Sequence, residues 1–372
     1  MTGISPLDEF PLHQAPLPIA WADSSDRNFY DRSYFNAHDR SGDIMVITGL
    51  GYYPNLGTKD AFVLVARGGK QTAVHLSDLM DQDRMNPHVG NYRIEVLDPL
   101  KKVRIVLEET EGVSLDLTWE GTCDVVQELP HVMRSGSRVT LDAQRFAQLG
   151  TWAGTIVIDG EEITVDPAVW LGSRDRSWGI RPVGAAEPPG APADPPFEGM
   201  WWLYSPMQFE DFAIVPILQE SPDGFRTLND CTRVWKDGRV EQLGWPLVEV
   251  HYASGTRTPT GATIRCTTPQ GDPIVLEVES KLAVPLHVGG GYGGDPDWIH
   301  GMWKGEKFTE RITYDMADDA VQGRFMFGCV DHVGRALCRD GADVQEGWGL
   351  FEHFCIGRHD PSGFADFFTL AP

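Results

Sequence analysis

Alternation of apolar and polar residues with a period of two, interrupted by short turn signals, is the dominant pattern of this sequence. It runs through Tyr92–Leu97 and again through Val113–Trp119, which indicates strands that are buried on one face. Asp159-Gly160 separates two apolar runs, and Asp237-Gly238 does so again later in the chain. Asp-Gly pairs supply the positive φ angles of tight hairpin turns. The sequence therefore predicts an all-β protein of antiparallel strands.

Helices are expected to be few and short. The chain holds 40 glycines and 26 prolines among 372 residues, which favours turns over long helices. Only residues 77–81 and 141–146 carry short helical patterns.

The length and the proline distribution predict two domains. A chain of 372 residues exceeds the size of most single hydrophobic cores. Six prolines between Pro182 and Pro196 exclude a central strand or helix there. We therefore predict an extended N-terminal arm at residues 1–27, a first β domain at 28–183, a linker at 184–197 and a second β domain at 198–372.

The charge and the chain ends bear on partners and location. A formal net charge of −23 disfavours nucleic acids and anionic membranes as partners and favours solubility. The N-terminus lacks a signal-peptide pattern, and no apolar run is long enough to span a membrane. Six isolated cysteines are expected to be reduced and mostly buried. We expect a cytoplasmic protein and leave open whether it forms a homo-oligomer.

Motifs for nucleotides and metals are not evident. The sequence contains no phosphate loop, no H-E-x-x-H and no G-x-S-x-G motif. Residues 289–294 are rich in glycine but lack the lysine of a nucleotide loop, so we interpret them as a loop or a lid. The histidines show no metal-ligand spacing. We therefore predict neither a cofactor nor a metal site.

Asp175 is the strongest candidate for a catalytic acid. It lies between aromatic and glycine residues in Gly172-Ser173-Arg174-Asp175-Arg176-Ser177-Trp178-Gly179. An inward-facing aspartate loses solvation, which raises its pKa and allows it to donate a proton near neutral pH. The alternative is a structural salt bridge with Arg174, Arg176 or Arg181, which would lower that pKa.

Further candidates lie near the C-terminus and among the aromatic residues. In Asp331-His332 and Glu352-His353 only one member of each pair can face inward, because neighbours on a strand point in opposite directions. We name His332, Glu352 and His353 as candidate partners of the acid. Aromatic rings would suit an apolar ligand and could stabilise a developing carbocation, and the candidate binding residues are Tyr52, Tyr53, Trp178, Trp202, Tyr204 and Trp303.

The segment around Asp175 resembles a known signature. Gly172-x-x-Asp175-x-x-Trp178-Gly179 is similar to the D-[HR]-x-W-G pattern of carotenoid 1,2-hydratase (hydroxyneurosporene synthase) and its AttH-like relatives, a group that includes cyclases and Diels–Alderases. Further segments look closest to a bacterial branch of that group: Asp31-Arg32-x-Tyr34-Phe35-Asn36, Gly49-Leu50-Gly51-Tyr52-Tyr53-Pro54-Asn55, His300-Gly301-Met302-Trp303 and Gly347-Trp348-Gly349-Leu350-Phe351-Glu352-His353.

The resemblance implies both a fold and an activity. It implies two lipocalin-like barrel or sandwich domains, a site at their junction, and cofactor-independent addition of water to the double bond of a terpenoid-like or other apolar molecule. Asp175 matches the proposed proton donor of the hydratases. The family also uses a histidine upstream, whereas residues 145–150 contain none and Gln148 stands there instead. An isomerase or cyclase on the same scaffold and a non-catalytic carrier of hydrophobic molecules are the alternatives.

Overall fold

The computed structural model describes Glu9, Ala22 and residues 24–81, 83, 85–187, 190–191, 196–324 and 328–372. Nearly all regular structure in these residues is antiparallel strand, arranged in two large curled sheets of fourteen and ten strands. The predicted all-β class with two lipocalin-like domains is therefore confirmed.

The first sheet uses the first thirteen strands of the chain. They are β1 Phe29–His38, β2 Ile44–Tyr53, β3 Thr58–Arg67, β4 Lys70–Leu79, β5 His88–Val89, β6 Tyr92–Asp98, β7 Lys102–Thr110, β8 Val113–Gly121, β9 Val126–Gln127, β10 His131–Ser135, β11 Arg138–Ile158, β12 Glu161–Val165 and β13 Leu171–Ile180. Across the sheet the order is β4-β3-β2-β1-β13-β11-β8-β7-β6-β5, and β9, β10 and β12 also pair with β11. Long-range pairing of β1 with β13 brings the two ends of this segment together.

The remaining elements follow in the second half of the chain. They are β14 Gly199–Tyr204, β15 Met207–Gln208, β16 Phe212–Glu220, β17 Arg226–Trp235, β18 Val240–Gln242, β19 Leu247–Tyr252, β20 Pro259–Thr267, β21 Pro273–Pro285, β22 Phe308–Asp315, α1 Asp319–Gln322, β23 Val330–Asp340 and β24 Asp343–Gly357, with short 3₁₀ turns at Pro54–Leu56 and Asp360–Ser362. The second sheet has the order β18-β17-β16-β14-β24-β23-β21-β20-β19, and β15 pairs with β16 and β24.

Strand β22 crosses from one half of the chain to the other. It comes from the second half of the sequence but pairs with β4 at the edge of the first sheet. The predicted domain boundaries stay predictions, and residues 1–8, 10–21, 23, 188–189 and 192–195 of the predicted arm and linker lie outside the described residues.

The turn predictions and the helix predictions had different outcomes. Asp159 and Gly160 have φ angles of 51° and 83° and connect β11 to β12, and Asp237-Gly238 lies between β17 and β18. Both predicted hairpins are thus present. The short helices expected at 77–81 and 141–146 are wrong, because residues 77–79 end β4 and residues 141–146 belong to β11. Pairing with neighbouring strands overrides their weak local preference.

Apolar side chains form three main clusters. One lies within the first sheet and includes Phe35 and Trp152, and another lies within the second sheet and includes Leu203 and Phe351. A third cluster combines residues of both sheets, such as Tyr34 with Trp202 and Tyr204. The two sheets therefore pack against each other over a shared apolar junction.

Two simpler expectations can be compared with the structure. All six cysteines are free thiols and five of them are buried, as predicted. Among the described residues, no helix combines the length and the apolar character that crossing a membrane requires.

The glycines of the Asp175 segment have a packing role. A Cβ on Gly172 would lie 1.9 Å from the carbonyl oxygen of Asn36 on β1. Gly179 has a φ of 131°, and a Cβ there would lie 2.0 Å from the carbonyl oxygen of Asp142 on β11. These glycines allow β13 to approach the strands on both its sides, which positions Asp175 between them.

We expect Gly172→Ala to lower the free energy of unfolding by about 1–3 kcal/mol, the usual cost of forcing extra atoms into a packed region. Chemical denaturation of the wild type and the variant measures this difference. Gly293→Ala is the control, because no heavy atom of the described residues lies within 4 Å of its added Cβ. Equal stability of the two variants would show that the close approach at Gly172 is unimportant.

Candidate active site

A cavity of about 310 Å³ lies at the junction of the two sheets. Its walls come from β1, β10, β11 and β13 of the first sheet and from β14, β16 and β24 of the second, together with the glycine-rich segment before β22. The residues that line it are Tyr30, Arg32, Tyr34, His131, Met133, Leu141, Ala143, Arg145, Asp175, Ser177, Arg181, Met200, Trp202, Tyr204, Gln219, Tyr292, Gly293, Gly328, Cys329, Glu352, Phe354 and Ile356.

Strand alternation directs Asp175 into this cavity. Asp175 and Ser177 line it, whereas Arg174 and Arg176 project from the other face of β13. Arg174 Nη1 lies 2.8 Å from Glu9 Oε1, and Arg176 is ion-paired with Asp31. The alternative interpretation of Asp175 as a partner of these two arginines is therefore not what the structure shows.

The Asp175 carboxyl is available to a ligand. None of the described residues donates a hydrogen bond to it, and no guanidinium of that part of the chain lies within 4 Å of it. Burial raises its pKa from 3.8 to about 6, against the opposing effect of Arg145 and Arg32. Tyr34 faces Asp175 across the pairing of β1 with β13.

A second acidic group lies on the opposite wall. Asp331 of β23 and Glu352 of β24 are register partners on neighbouring strands. The Tyr34 hydroxyl donates a hydrogen bond to Asp331 Oδ2, and Trp202 Nε1 donates one to Glu352 Oε1. Burial, together with the nearby Glu352, raises the pKa of Asp331 well above its usual value. Burial therefore favours the protonated form of Asp331.

Cys329 completes a cluster with this acidic pair. Ligand atoms of Cys329, Asp331 and Glu352 lie within 4.8 Å of one another. Burial raises the pKa of the Cys329 thiol well above 9, so the thiol holds its proton in this environment. Metal ions bind the deprotonated forms of these groups. The donor set thus fits a protonated cluster better than a cation site, and the predicted absence of a metal site stays a prediction.

Arg145 and its neighbours form the side of the cavity next to Asp175. Arg145 Nε lies 3.2 Å from Glu128 Oε2, and burial raises the pKa of Glu128 to about 8 although Arg145 opposes this shift. The His131 ring stacks on Trp202 with centroids 5.5 Å apart, and its Nε2 lies 2.6 Å from Gln219 Oε1. Burial lowers the pKa of His131 to about 4, so the ring is neutral.

His332 and His353 lie outside the cavity. Each follows an acidic residue that occupies the cavity side of its strand, so each histidine projects to the other face. His353 Nδ1 lies 2.6 Å from the Trp202 carbonyl oxygen, and its Nε2 lies 2.8 Å from the Tyr252 hydroxyl. His332 Nδ1 lies 3.0 Å from the Phe351 carbonyl oxygen. Both line a separate pocket of about 250 Å³.

The candidate binding residues divide between the cavity and other places. Trp202 and Tyr204 line the cavity, but Tyr52 belongs to the core of the first sheet. The Tyr53 hydroxyl donates a hydrogen bond to Asp60 Oδ1 at 3.1 Å. Trp178 follows Arg174 and Arg176 on the other face of β13, and Trp303 is 49% exposed. Neither Trp178 nor Trp303 contributes to the lining of the cavity.

Several lining residues were missed from the sequence. Gln148, considered as a replacement for the family's histidine, instead accepts hydrogen bonds from Arg174 at 2.9 and 2.7 Å. His131 is the histidine that lines the cavity upstream of Asp175. The glycine-rich segment 289–294 is held in place by Asp295, whose Oδ2 accepts hydrogen bonds from the Gly289 and Gly291 amides at 2.7 and 3.1 Å. That segment supplies Tyr292 to the lining.

Comparison with known proteins gives a family and a fold. The sequence model of a protein family described as "Family of unknown function (DUF8625)" matches residues 4–365. No curated protein sequence matches the chain significantly.

Solved structures share the two-sheet architecture at low identity. Kievitone hydratase from Nectria haematococca is 13% identical with a TM-score of 0.53, and the match covers 87% of this chain and 88% of that one. A candidate AttH protein from Nitrosomonas europaea is 11% identical with a TM-score of 0.52, covering 88% and 92%. CghA is 12% identical with a TM-score of 0.52, covering 93% and 94%. These matches confirm the fold expected from the AttH-like resemblance.

The raised pKa of Asp175 predicts a pH-dependent effect of Asp175→Asn on stability. The folded protein binds this proton more tightly than the unfolded chain, so the stabilisation is present below pH 4 and is lost as the pH rises through about 6. The variant should therefore gain stability relative to the wild type between pH 4 and pH 8. At about 1.4 kcal/mol per pKa unit, the gain is up to about 3 kcal/mol.

Free energies of unfolding at pH 4, 6 and 8 measure this effect. Asp142→Asn is a matched control, because Asp142 is an exposed carboxylate on the adjacent strand β11. A difference between Asp175→Asn and the wild type that stays constant with pH would contradict the raised pKa.

Proposed function

We propose that this chain, which belongs to the DUF8625 family, adds water to, or removes it from, a carbon–carbon double bond of an apolar, terpenoid-like small molecule. The observation that carries this proposal is the Asp175 carboxyl in the junction cavity, which has no hydrogen-bond or ion-pair partner among the described residues and whose pKa burial raises to about 6. The shared fold with kievitone hydratase supports the scaffold, and the residues of this chain support the chemistry.

Asp175 would act as the proton donor. Protonation of an alkene carbon requires a carboxylic acid that keeps its proton until the substrate is bound. With a pKa near 6, roughly a tenth of the Asp175 side chains carry the proton at pH 7, compared with about a thousandth for an ordinary aspartate. The proton passes to one carbon of the double bond, and the positive charge develops on the other.

Glu352 would accept the proton of the attacking water. Its carboxylate faces the cavity from the sheet opposite Asp175. As the water oxygen bonds to the cationic carbon, one water proton passes to Glu352, so Asp175 ends as the carboxylate and Glu352 as the acid. Exchange with solvent restores both groups. In the reverse direction, Glu352 protonates the leaving hydroxyl group and Asp175 removes the neighbouring carbon's proton.

Asp331 and Tyr34 would serve as positioning residues. Burial favours the protonated form of Asp331 beside Glu352, and the Tyr34 hydroxyl holds the Asp331 carboxyl in place. A neighbouring neutral acid can donate a hydrogen bond to the Glu352 carboxylate without adding negative charge. Trp202 orients Glu352 through the hydrogen bond from its Nε1 to Glu352 Oε1.

Aromatic rings supply the shielding that a cationic intermediate needs. The π faces of aromatic side chains attract positive charge and exclude bulk water from the reacting carbon. The cavity is lined by six such residues: Tyr30, Tyr34, Trp202, Tyr204, Tyr292 and Phe354.

Incubation with a panel of terpenoid alkenes and tertiary alcohols in heavy-oxygen water tests the reaction. We expect the label to enter the product, with a loss of at least about a hundredfold in kcat for Asp175→Asn and Glu352→Gln, the usual range for general acid–base groups. Glu210→Gln and Asp142→Asn change exposed carboxylates and should keep wild-type activity.

The outcomes separate the competing functions. A product without label would indicate an isomerase or cyclase, and ligand binding without turnover in the wild type would indicate a carrier. Full label incorporation by Asp175→Asn would exclude Asp175 as the acid.

The pH dependence of kcat/KM provides an independent check. Both reaction directions need one proton on the pair formed by Asp175 and Glu352, so both rates fall as the pH rises through the pKa at which the pair loses that proton. We expect a decline of roughly fiftyfold between pH 6 and pH 8, with an apparent pKa near 6. A rate that is constant over this range would contradict the proposed acid.

A further inference from the structure

Two arginines line the cavity without an acidic partner in the described part of the chain. Arg32 is 5% exposed, and Arg181 lines the cavity on the same side. No carboxylate of the described residues lies within 4 Å of either guanidinium. By contrast, Arg145 has Glu128 at 3.2 Å.

Arg32 and Arg181 contact aromatic residues, and most of their N–H groups donate no hydrogen bond to a described residue. Arg32 Nη2 donates one hydrogen bond to the Tyr292 hydroxyl at 3.2 Å, and its guanidinium carbon lies 4.9 Å from the centre of that ring. The Arg181 guanidinium carbon lies 5.6 Å from the Tyr30 ring centre and 5.7 Å from that of Tyr292. Each guanidinium has five N–H donors, and burying a charge without a counter-charge is unfavourable. Asp175 acts on Arg32 only at longer range, and no carboxylate of the described residues pairs directly with either guanidinium.

The position of the pair suits the charged end of a ligand. Arg32, Arg181, Tyr292 and Gly293 line both the cavity and an adjoining pocket of about 380 Å³. Across β1 and β13, Arg32 is the register partner of Ser177, and Tyr34 is the partner of Asp175. Arg32 is therefore displaced from Asp175 by one step along the same face of the sheet, which corresponds to about 7–8 Å between diagonal neighbours.

The geometry points to a carboxylate-binding subsite formed by Arg32 and Arg181, so that the substrate is an apolar molecule with a carboxylate group at one end and its double bond near Asp175. A planar carboxylate matches the donor fork of a guanidinium, and Arg–carboxylate pairs are frequently bidentate. This inference rests on the proposed function for the position of the double bond, and on the unpaired arginines for the carboxylate.

Matched acid and amide ligands test the subsite by binding alone. Geranic acid and geranamide have nearly the same shape and differ in charge at pH 7.5. We expect the wild type to bind geranate about tenfold or more tightly than the amide, because charge-assisted hydrogen bonds are about twice as strong as neutral ones. Isothermal titration calorimetry measures both affinities.

Arginine variants assign the preference to the pair. Arg181→Gln and Arg32→Gln should reduce the preference for the acid to within about threefold, while the affinity for geranamide stays close to that of the wild type. Retained geranamide binding also shows that the cavity is folded. If the Arg32→Gln variant does not fold, the result for Arg181→Gln is sufficient to decide the question. Arg134→Gln is the control, since Arg134 is an exposed residue of β10, next to the lining residue Met133.

Three results would overturn the subsite. They are equal affinity of the wild type for acid and amide, an unchanged acid preference in Arg181→Gln, and failure of geranate to bind the wild type at millimolar concentration. The proposed function fails separately: Asp175→Asn should keep the acid preference and lose label incorporation. Hydration of neutral alkenes without an acid preference would refute only the subsite, and acid-selective binding without turnover of any alkene would refute only the hydratase.

Proton uptake on binding is a second readout. The charged groups with the largest effect on the pKa of Asp175 are Arg145, Arg32 and Arg181, which lower it, and Glu352, which raises it. A carboxylate bound to Arg32 and Arg181 offsets their effect, so Asp175 should take up a fraction of a proton when geranate binds at pH 7.5. The other titratable groups around the cavity are Tyr30, Tyr34, Glu128, His131, Tyr204, Tyr292, Cys329 and Asp331.

Titrations in buffers of different ionisation enthalpy measure this uptake. We expect uptake with geranate and the wild type, and none with geranamide or with Asp175→Asn. Uptake that persists in Asp175→Asn would show that another group is responsible and would overturn the coupling to Asp175.

Discussion

The alternation of side chains between the two faces of each β-strand is the constraint on which this structure depends. Along β13, Arg174 and Arg176 project from one face of the strand and form ion pairs there. Asp175 and Ser177 project from the other face into the cavity at the junction of the two sheets. The same division holds for β24, where Glu352 and Phe354 line the cavity while Phe351 and His353 face the other side. One strand thus supplies side chains to an interior layer and to the candidate site, and a shift of register by one residue would exchange them.

This constraint explains what could be predicted from the sequence and what could not. Alternation and Asp-Gly turns are local signals, so the fold class and the hairpins followed from them. Asp175 and Glu352 were found because a carboxylate among aromatic and glycine residues is unusual in a strand. For Asp331-His332 and Glu352-His353, the alternation required one inward member but could not say which, and the register of β23 with β24 decides it.

Local sequence patterns could not predict the contacts between residues that lie far apart in the chain. The Tyr34 hydroxyl donates a hydrogen bond to Asp331, which lies 297 residues later in the sequence. Arg32 contacts Tyr292 only because the two sheets pack together. Tyr52, Tyr53 and Trp178 carry the aromatic signal of a binding residue, yet their strands direct them elsewhere. An aromatic residue in a strand reports burial, and only the assembled sheets determine which of the buried faces encloses a cavity.

The balance of charge in the cavity links the proposed reaction to the proposed substrate. Burial favours the protonated forms of Asp331 and Glu128, and the reaction begins with Asp175 protonated as well. In that state Glu352 is the one other acidic residue of the lining, and the guanidinium groups of Arg32, Arg145 and Arg181 outnumber it. A neutral alkene would then have to develop positive charge in a cavity that is already positive, which like-charge repulsion opposes. A substrate that places a carboxylate on Arg32 and Arg181 removes this repulsion and strengthens the hold of Asp175 on its proton until the double bond is in place.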